Sequence, residues 1–189
     1  MKIFEKIILT LVVLMILVRL LFHIPFTGVF LLLSISVLSL VYLFGSWYFF
    51  SGEGLAKNTA VSVVSGLVFF IALIGVLFKL MLWPFGTVLT YMGSFFGIGL
   101  FVVLLLPGFL FRKSVPEERH YYSWILKRAF GIIGICIALA FTPIKTLCIL
   151  YHPDDPEYVR LFTKAYDGQS ERDWEEFHAY RKSKEKAAE

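Results

Sequence analysis

The chain has 189 residues, of which 58% are hydrophobic and only 17% charged, with a formal net charge of +4 and a mean hydropathy of +0.77. A soluble domain of this size carries more charge and breaks its apolar runs more often. Here the charges crowd into short intervals between runs near the ~20 residues that cross a hydrocarbon core, so the sequence predicts an all-α, polytopic integral membrane protein.

Five spans are expected in chain order, at residues 3–22, 28–50, 59–82, 87–111 and 126–150. They form a transmembrane helical domain over residues 1–150, followed by a polar helical tail over 151–189. The uninterrupted blocks exclude a transmembrane β-barrel, which would show alternating segments of ~10 residues. Lys2 and Lys6 before an apolar run resemble a secretory signal. No small-x-small cleavage site follows, however, and Arg19 stands where an uninterrupted apolar core should end.

Two Pro-punctuated turns join the first four spans in pairs. The first carries Arg19, His23 and Pro25, and the second Lys79, Trp83, Pro84 and Gly86. Proline donates no backbone hydrogen bond and biases the preceding residue away from helix, so each turn is a natural stop at the membrane interface. Arg19 and Lys79 are expected to act there as snorkelling anchors. Superimposing Pro25 on Pro84 aligns Leu21 with Leu80, Phe26 with Phe85 and Val29 with Val88. That fits a duplicated hairpin, and equally coincidence in a composition rich in Leu, Phe and Val.

Small residues mark helix-packing faces: Gly93 and Gly97 as GxxxG in span four, and Gly134 with Ala138 in span five. Such faces serve within one chain or between subunits, and within the chain is the expectation for a five-span protein. Pro107-Gly108 should fray or kink the end of span four. Cys136 and Cys148, twelve residues apart, lie ~18 Å apart along a helix and are expected as buried free thiols.

The tail differs in kind. Residues 151–189 hold ten acids and seven bases, a net of −3, against four acids and eleven bases, a net of +7, before them. His152-Pro153-Asp154-Asp155-Pro156 predicts a rigid turn. Tyr158, Leu161, Phe162, Ala165 and Tyr166 then recur at helical spacing until Asp167-Gly168. Ser170 with Asp173 resembles a capping box opening a second helix with Trp174, Phe177 and Tyr180 on one side. These aromatics could close a hairpin on itself or meet a partner.

Lys and Arg near the span ends number eight on the N-terminal face against five on the other. The excess predicts a cytoplasmic N-terminus and a periplasmic tail in the bacterial inner membrane. If span five re-enters, as Pro143 and Lys145 would allow, the tail returns inside.

Chemistry is sparse. The spans hold no carboxylate between Lys6 and Phe111, which argues against an ion-coupled machine acting alone. No His-Glu-x-x-His helix, GxSxG elbow, P-loop or dinucleotide fingerprint occurs, and the basic residues follow membrane boundaries, not a nucleic-acid groove. No catalytic, cofactor or metal site is expected.

The stretch Gly75 to Gly86, with Leu89 and Gly93 beyond, resembles the first membrane hairpin of GldL-type proteins of the Bacteroidota gliding and type IX secretion machinery. That family carries a Leu-Phe-Lys-x-x-His-Trp-Pro-Gly turn. Leu77, Phe78, Lys79, Trp83 and Pro84 match it, Leu82 replaces the His, Phe85 intervenes before Gly86, and His23 and Pro25 echo it in the first turn. The resemblance covers about 20 residues and implies a bacterial envelope protein with outward-facing turns. GldL-type subunits have two spans, with a glutamate in the second that this chain lacks, so motor activity does not transfer.

The expectation is a non-enzymatic accessory or assembly component of an envelope complex, with the lipid bilayer and other membrane proteins, or a second copy, as partners. The alternative is a small transporter or channel with a path past Ser34, Ser36, Ser39, Ser62, Ser65 and Thr90.

Overall fold

The computed structural model describes residues 2–22, 27–49, 59–110, 116–168 and 170–188. All the regular structure among them is helical: α1 Lys2–Phe22, α2 Thr27–Phe49, α3 Thr59–Leu80, α4 Gly86–Leu110, α5 Pro116–Phe141, α6 Ile144–Tyr151, α7 Pro156–Gly168 and α8 Glu171–Ala188. Among the described residues, four helices are long and apolar enough to cross a membrane, over Gly28–Gly45, Ala60–Leu80, Gly86–Leu105 and Tyr121–Phe141. Helix α1 is apolar over the shorter stretch Ile7–Val18.

The chain forms two compact units, Met1–Phe141 and Thr142–Glu189. In the first, α3 is central, packing on α2, α4 and α5, while α1 packs on α2. Helices α3 and α5 run in the same direction, because Ser62 near the start of one meets Tyr121 near the start of the other, and Lys79 meets Ala140 at their ends. Outward faces are apolar, with Phe44, Phe95 and Phe130 among the most exposed side chains.

The fifth expected span, 126–150, requires correction. Its helix begins at Pro116, ten residues ahead of the expected start, and ends at Phe141. Pro143 explains the stop, since the residue before a proline is driven out of the helical region. Glu117, Glu118, Arg119 and His120 obscured the start. Arg128 folds back over the Trp124 ring at 3.3 Å and donates to the Trp124 carbonyl at 3.3 Å, so its charge does not break the helix. The short helix α6 belongs to the second unit, not to this span.

The α3–α4 turn is a Schellman closure. The Trp83 N–H donates to the Phe78 carbonyl at 2.9 Å and the Leu82 N–H to the Lys79 carbonyl at 3.2 Å. Leu82 therefore occupies the left-handed position that glycine usually fills, at φ 56°, and Phe85 stands at φ 64° ahead of α4. Gly86 has no freedom to carry a side chain, because a methyl group there would lie 2.9 Å from the Lys79 Cα. Leu82→Ile keeps the volume but places a β-branched side chain at positive φ. It should destabilise the bundle by about 1–2 kcal/mol, read by detergent-to-SDS unfolding.

In the second unit, α7 packs on α6 and α8. Val159, Leu161, Phe162 and Ala165 of α7 are buried with Phe177 of α8. Asp155 caps α7 by accepting from the Tyr158 N–H at 3.1 Å. The same carboxylate accepts from Tyr180 Oη at 2.7 Å and pairs with Lys184 Nζ at 3.0 Å, fastening α8 to the start of α7. Across the other end, Lys164 pairs with Asp173 at 2.9 Å and Glu176 at 2.8 Å. Asp173 thus serves a cross-helix ion pair; its expected reciprocal partner Ser170 accepts the Asp173 and Trp174 N–H groups through its backbone carbonyl.

Candidate functional site

The interior of the first unit carries a polar seam along one face of α4. Gly86, Thr90, Gly93, Ser94 and Gly97 are all buried there. Thr90 Oγ1 lies 3.0 Å from the Gly75 carbonyl oxygen of α3 and 2.5 Å from the Gly86 carbonyl oxygen of its own helix, and its one proton serves either. Ser94 Oγ donates to the Thr90 carbonyl at 2.8 Å. From α5, the Cys136 thiol reaches the Thr90 carbonyl at 3.4 Å and stands 3.6 Å from Ser94 Oγ.

The glycines explain why three helices converge so closely. A methyl group on Gly75 would stand 2.8 Å from the Leu89 carbonyl oxygen of α4. On Gly93 it would stand 2.7 Å from the Ala72 Cα, and on Gly97 2.7 Å from Ile133 Cγ1. The expected GxxxG face is therefore consumed within the chain, between α3 and α5. Gly134 and Ala138 behave oppositely: both are exposed on α5, and a methyl group on Gly134 or Gly131 would meet nothing within 4 Å. Phe130 and Phe141, 73% and 77% exposed, frame this open face.

Lys79 overturns its expected role. Its side chain does not run outward to water; it is 1% exposed, with Nζ 3.4 Å from the Ala140 carbonyl oxygen. That carbonyl belongs to the last turn of α5, whose C=O groups lack intrahelical partners and carry the negative end of the helix dipole. A cation is favoured there without any carboxylate. The tight turn also packs Gly86 directly against the Lys79 backbone.

Trp83 and Pro84 do remain at the exposed tip of the turn, with the Trp83 ring edge-on to Phe78 at 5.0 Å. His23 and Pro25 lie outside the described residues; Arg19 lies in α1, and its side chain is outside them too. Two serines of the expected polar path bond within the bundle, and a third is buried without a partner among the described residues. Ser39 donates to the Ser36 carbonyl at 2.9 Å, Ser62 bonds the Tyr121 hydroxyl, and Ser65 Oγ is buried with no partner among the described residues.

In the tail, the residues read as partner contacts are occupied internally. Phe177 is buried, with its ring 5.1 Å from Tyr158 and 5.4 Å from Phe162, Trp174 packs edge-on to Phe162 at 6.0 Å, and Tyr180 is held by Asp155. Tyr180, then the Tyr158 N–H and Lys184, hold the Asp155 carboxyl down at about 2 against partial burial. A carboxyl whose folded value is depressed stabilises above its ordinary value, and that contribution is lost as pH falls through the folded value. The hairpin should therefore resist pepsin down to pH ~3, whereas Asp155→Asn should be cut faster with a flat pH response across that window. Asp155→Ala should also cost about 1 kcal/mol of cap stability.

The sequence singled out Gly93 and Gly97 and assigned Thr90 to a polar path, but it did not mark Gly75 or Ser94 as packing positions or place Lys79 in the interior. The Gly86, Thr90, Gly93/Ser94, Gly97 spacing was the available signal, since it keeps small residues on one helical face. No group of three or more His, Cys, Asp or Glu that could hold a metal converges among the described residues. No protein-family model, no curated protein and no solved structure matches the chain.

Proposed function

We propose that this chain is a non-enzymatic integral membrane protein of the bacterial inner membrane, serving as an accessory or assembly component of an envelope complex. In this reading α1 completes five spans, with the N-terminus cytoplasmic and the tail periplasmic. The observation that carries the proposal is the outward face of α5. Gly131, Gly134 and Ala138 form an exposed strip of small residues between Phe130 and Phe141, the kind of face that lets a neighbouring transmembrane helix approach closely.

The transporter reading has less support, because Thr90, Ser94, Ser39 and Ser62 are bound to the bundle's own groups. Native mass measurement after extraction in mild detergent tests the proposal. The wild type should carry a membrane partner or a second copy, and Gly134→Ile should release it without destabilising the bundle. A strictly monomeric, partnerless wild type would refute the proposal.

A further inference from the structure

We infer that α6 lies flat in the headgroup region of an anionic phospholipid surface and holds the tail hairpin against the membrane. The inference rests on reading α5 as a membrane span. Helix α6 has 8 residues, about 12 Å of length, and cannot cross a bilayer. It begins at Ile144, after α5 ends at Phe141. The two intervening residues reach no more than ~11 Å between flanking Cα atoms, so the start of α6 cannot leave the interface.

Its two faces suit that position. Ile144, Leu147 and Cys148 are buried, and α6 packs on α7. Lys145, Thr146, Ile149 and Leu150 are exposed, at a spacing that puts them on one side of the helix. Ile149 is 47% and Leu150 37% exposed. Buried acyl contact for this pair, with the Lys145 stem beside them and its ammonium among lipid phosphates, is the pattern of an interfacial helix. Charge agrees: between Thr142 and Pro153 the only charged residue is Lys145, and the acids begin at Asp154. Two apolar side chains bind lipid weakly alone, but the covalent tether to α5 makes the encounter intramolecular.

The test uses full-length protein in phosphatidylcholine–phosphatidylglycerol vesicles, with an environment-sensitive NBD label on single introduced cysteines and doxyl-labelled lipid as quencher. The native Cys136 and Cys148 are buried, and unsubstituted protein gives their background. Labels at Ile149→Cys and Leu150→Cys should lose about half their emission, while one at the exposed Glu175→Cys on α8 should be unaffected. Phe95→Cys, on the outward face of α4, reports the membrane reading itself. If the 149 and 150 labels behave like 175 while 95 is quenched, the α6 inference fails and the span reading stands. If 95 is also unquenched, both fall.

Discussion

Gly75→Leu should drive α3 and α4 apart. A single methyl group there already meets the Leu89 carbonyl oxygen at 2.8 Å and the Thr90 nitrogen at 2.9 Å, and helix backbone cannot yield as a side-chain tip can. The Thr90 contact with the Gly75 carbonyl would be lost as well. We expect a loss exceeding about 3 kcal/mol, since overpacking usually costs 1–3 and four added carbons face fixed backbone. Gly93→Ala should lose about 1–3 kcal/mol for the same reason, against the Ala72 Cα. Gly134→Ala, at an open position, should instead gain up to about 1 kcal/mol from helix propensity alone. The opposite signs at two glycines, measured by SDS-driven unfolding in detergent, distinguish close approach from a general intolerance of alanine.

Lys79→Glu should be the most damaging single change in charge. It would press a carboxylate against the carbonyl end of α5, where the ammonium now sits 3.4 Å from the Ala140 oxygen. A loss of at least about 3 kcal/mol is expected, because a buried charge without a partner is left behind. Lys79→Met keeps the stem and removes the charge, and should cost only about 1–2 kcal/mol, the worth of a cation at a partly buried helix end. Lys79→Ala should fall between them through the cavity it opens. Equal effects of Met and Glu would show that the ammonium does not hold the helix end.

Much of the fold was readable from hydropathy. The second, third and fourth expected spans coincide with α2, α3 and α4 to within two residues at each end, because in these stretches an apolar run and a helix are the same object. The fifth was displaced at its start by the polar run Glu117 to His120, which hydropathy assigns to a loop although the helix is continuous through it, and at its end by Pro143. The tail's two helices followed from its spacing of aromatics. What they face did not, since an amphipathic helix shows that it has a partner face without saying whose. Lys79 was misplaced for a related reason. A lone lysine at a span end ordinarily reaches for water, and only the convergence of the α3–α4 turn with the end of α5 provides a carbonyl partner inside.

The two polar ties between α3 and α5 have a further consequence. Apolar helices in lipid can slide along and rotate about one another at little cost, since one greasy face substitutes for the next. The Ser62–Tyr121 bond and the Lys79–Ala140 contact are separated by seventeen residues of α3, ~25 Å of helix. Fastened at both ends, α5 loses its freedom to turn on its axis or to shift by one residue. Its glycine strip is thereby aimed at the same azimuth in every molecule.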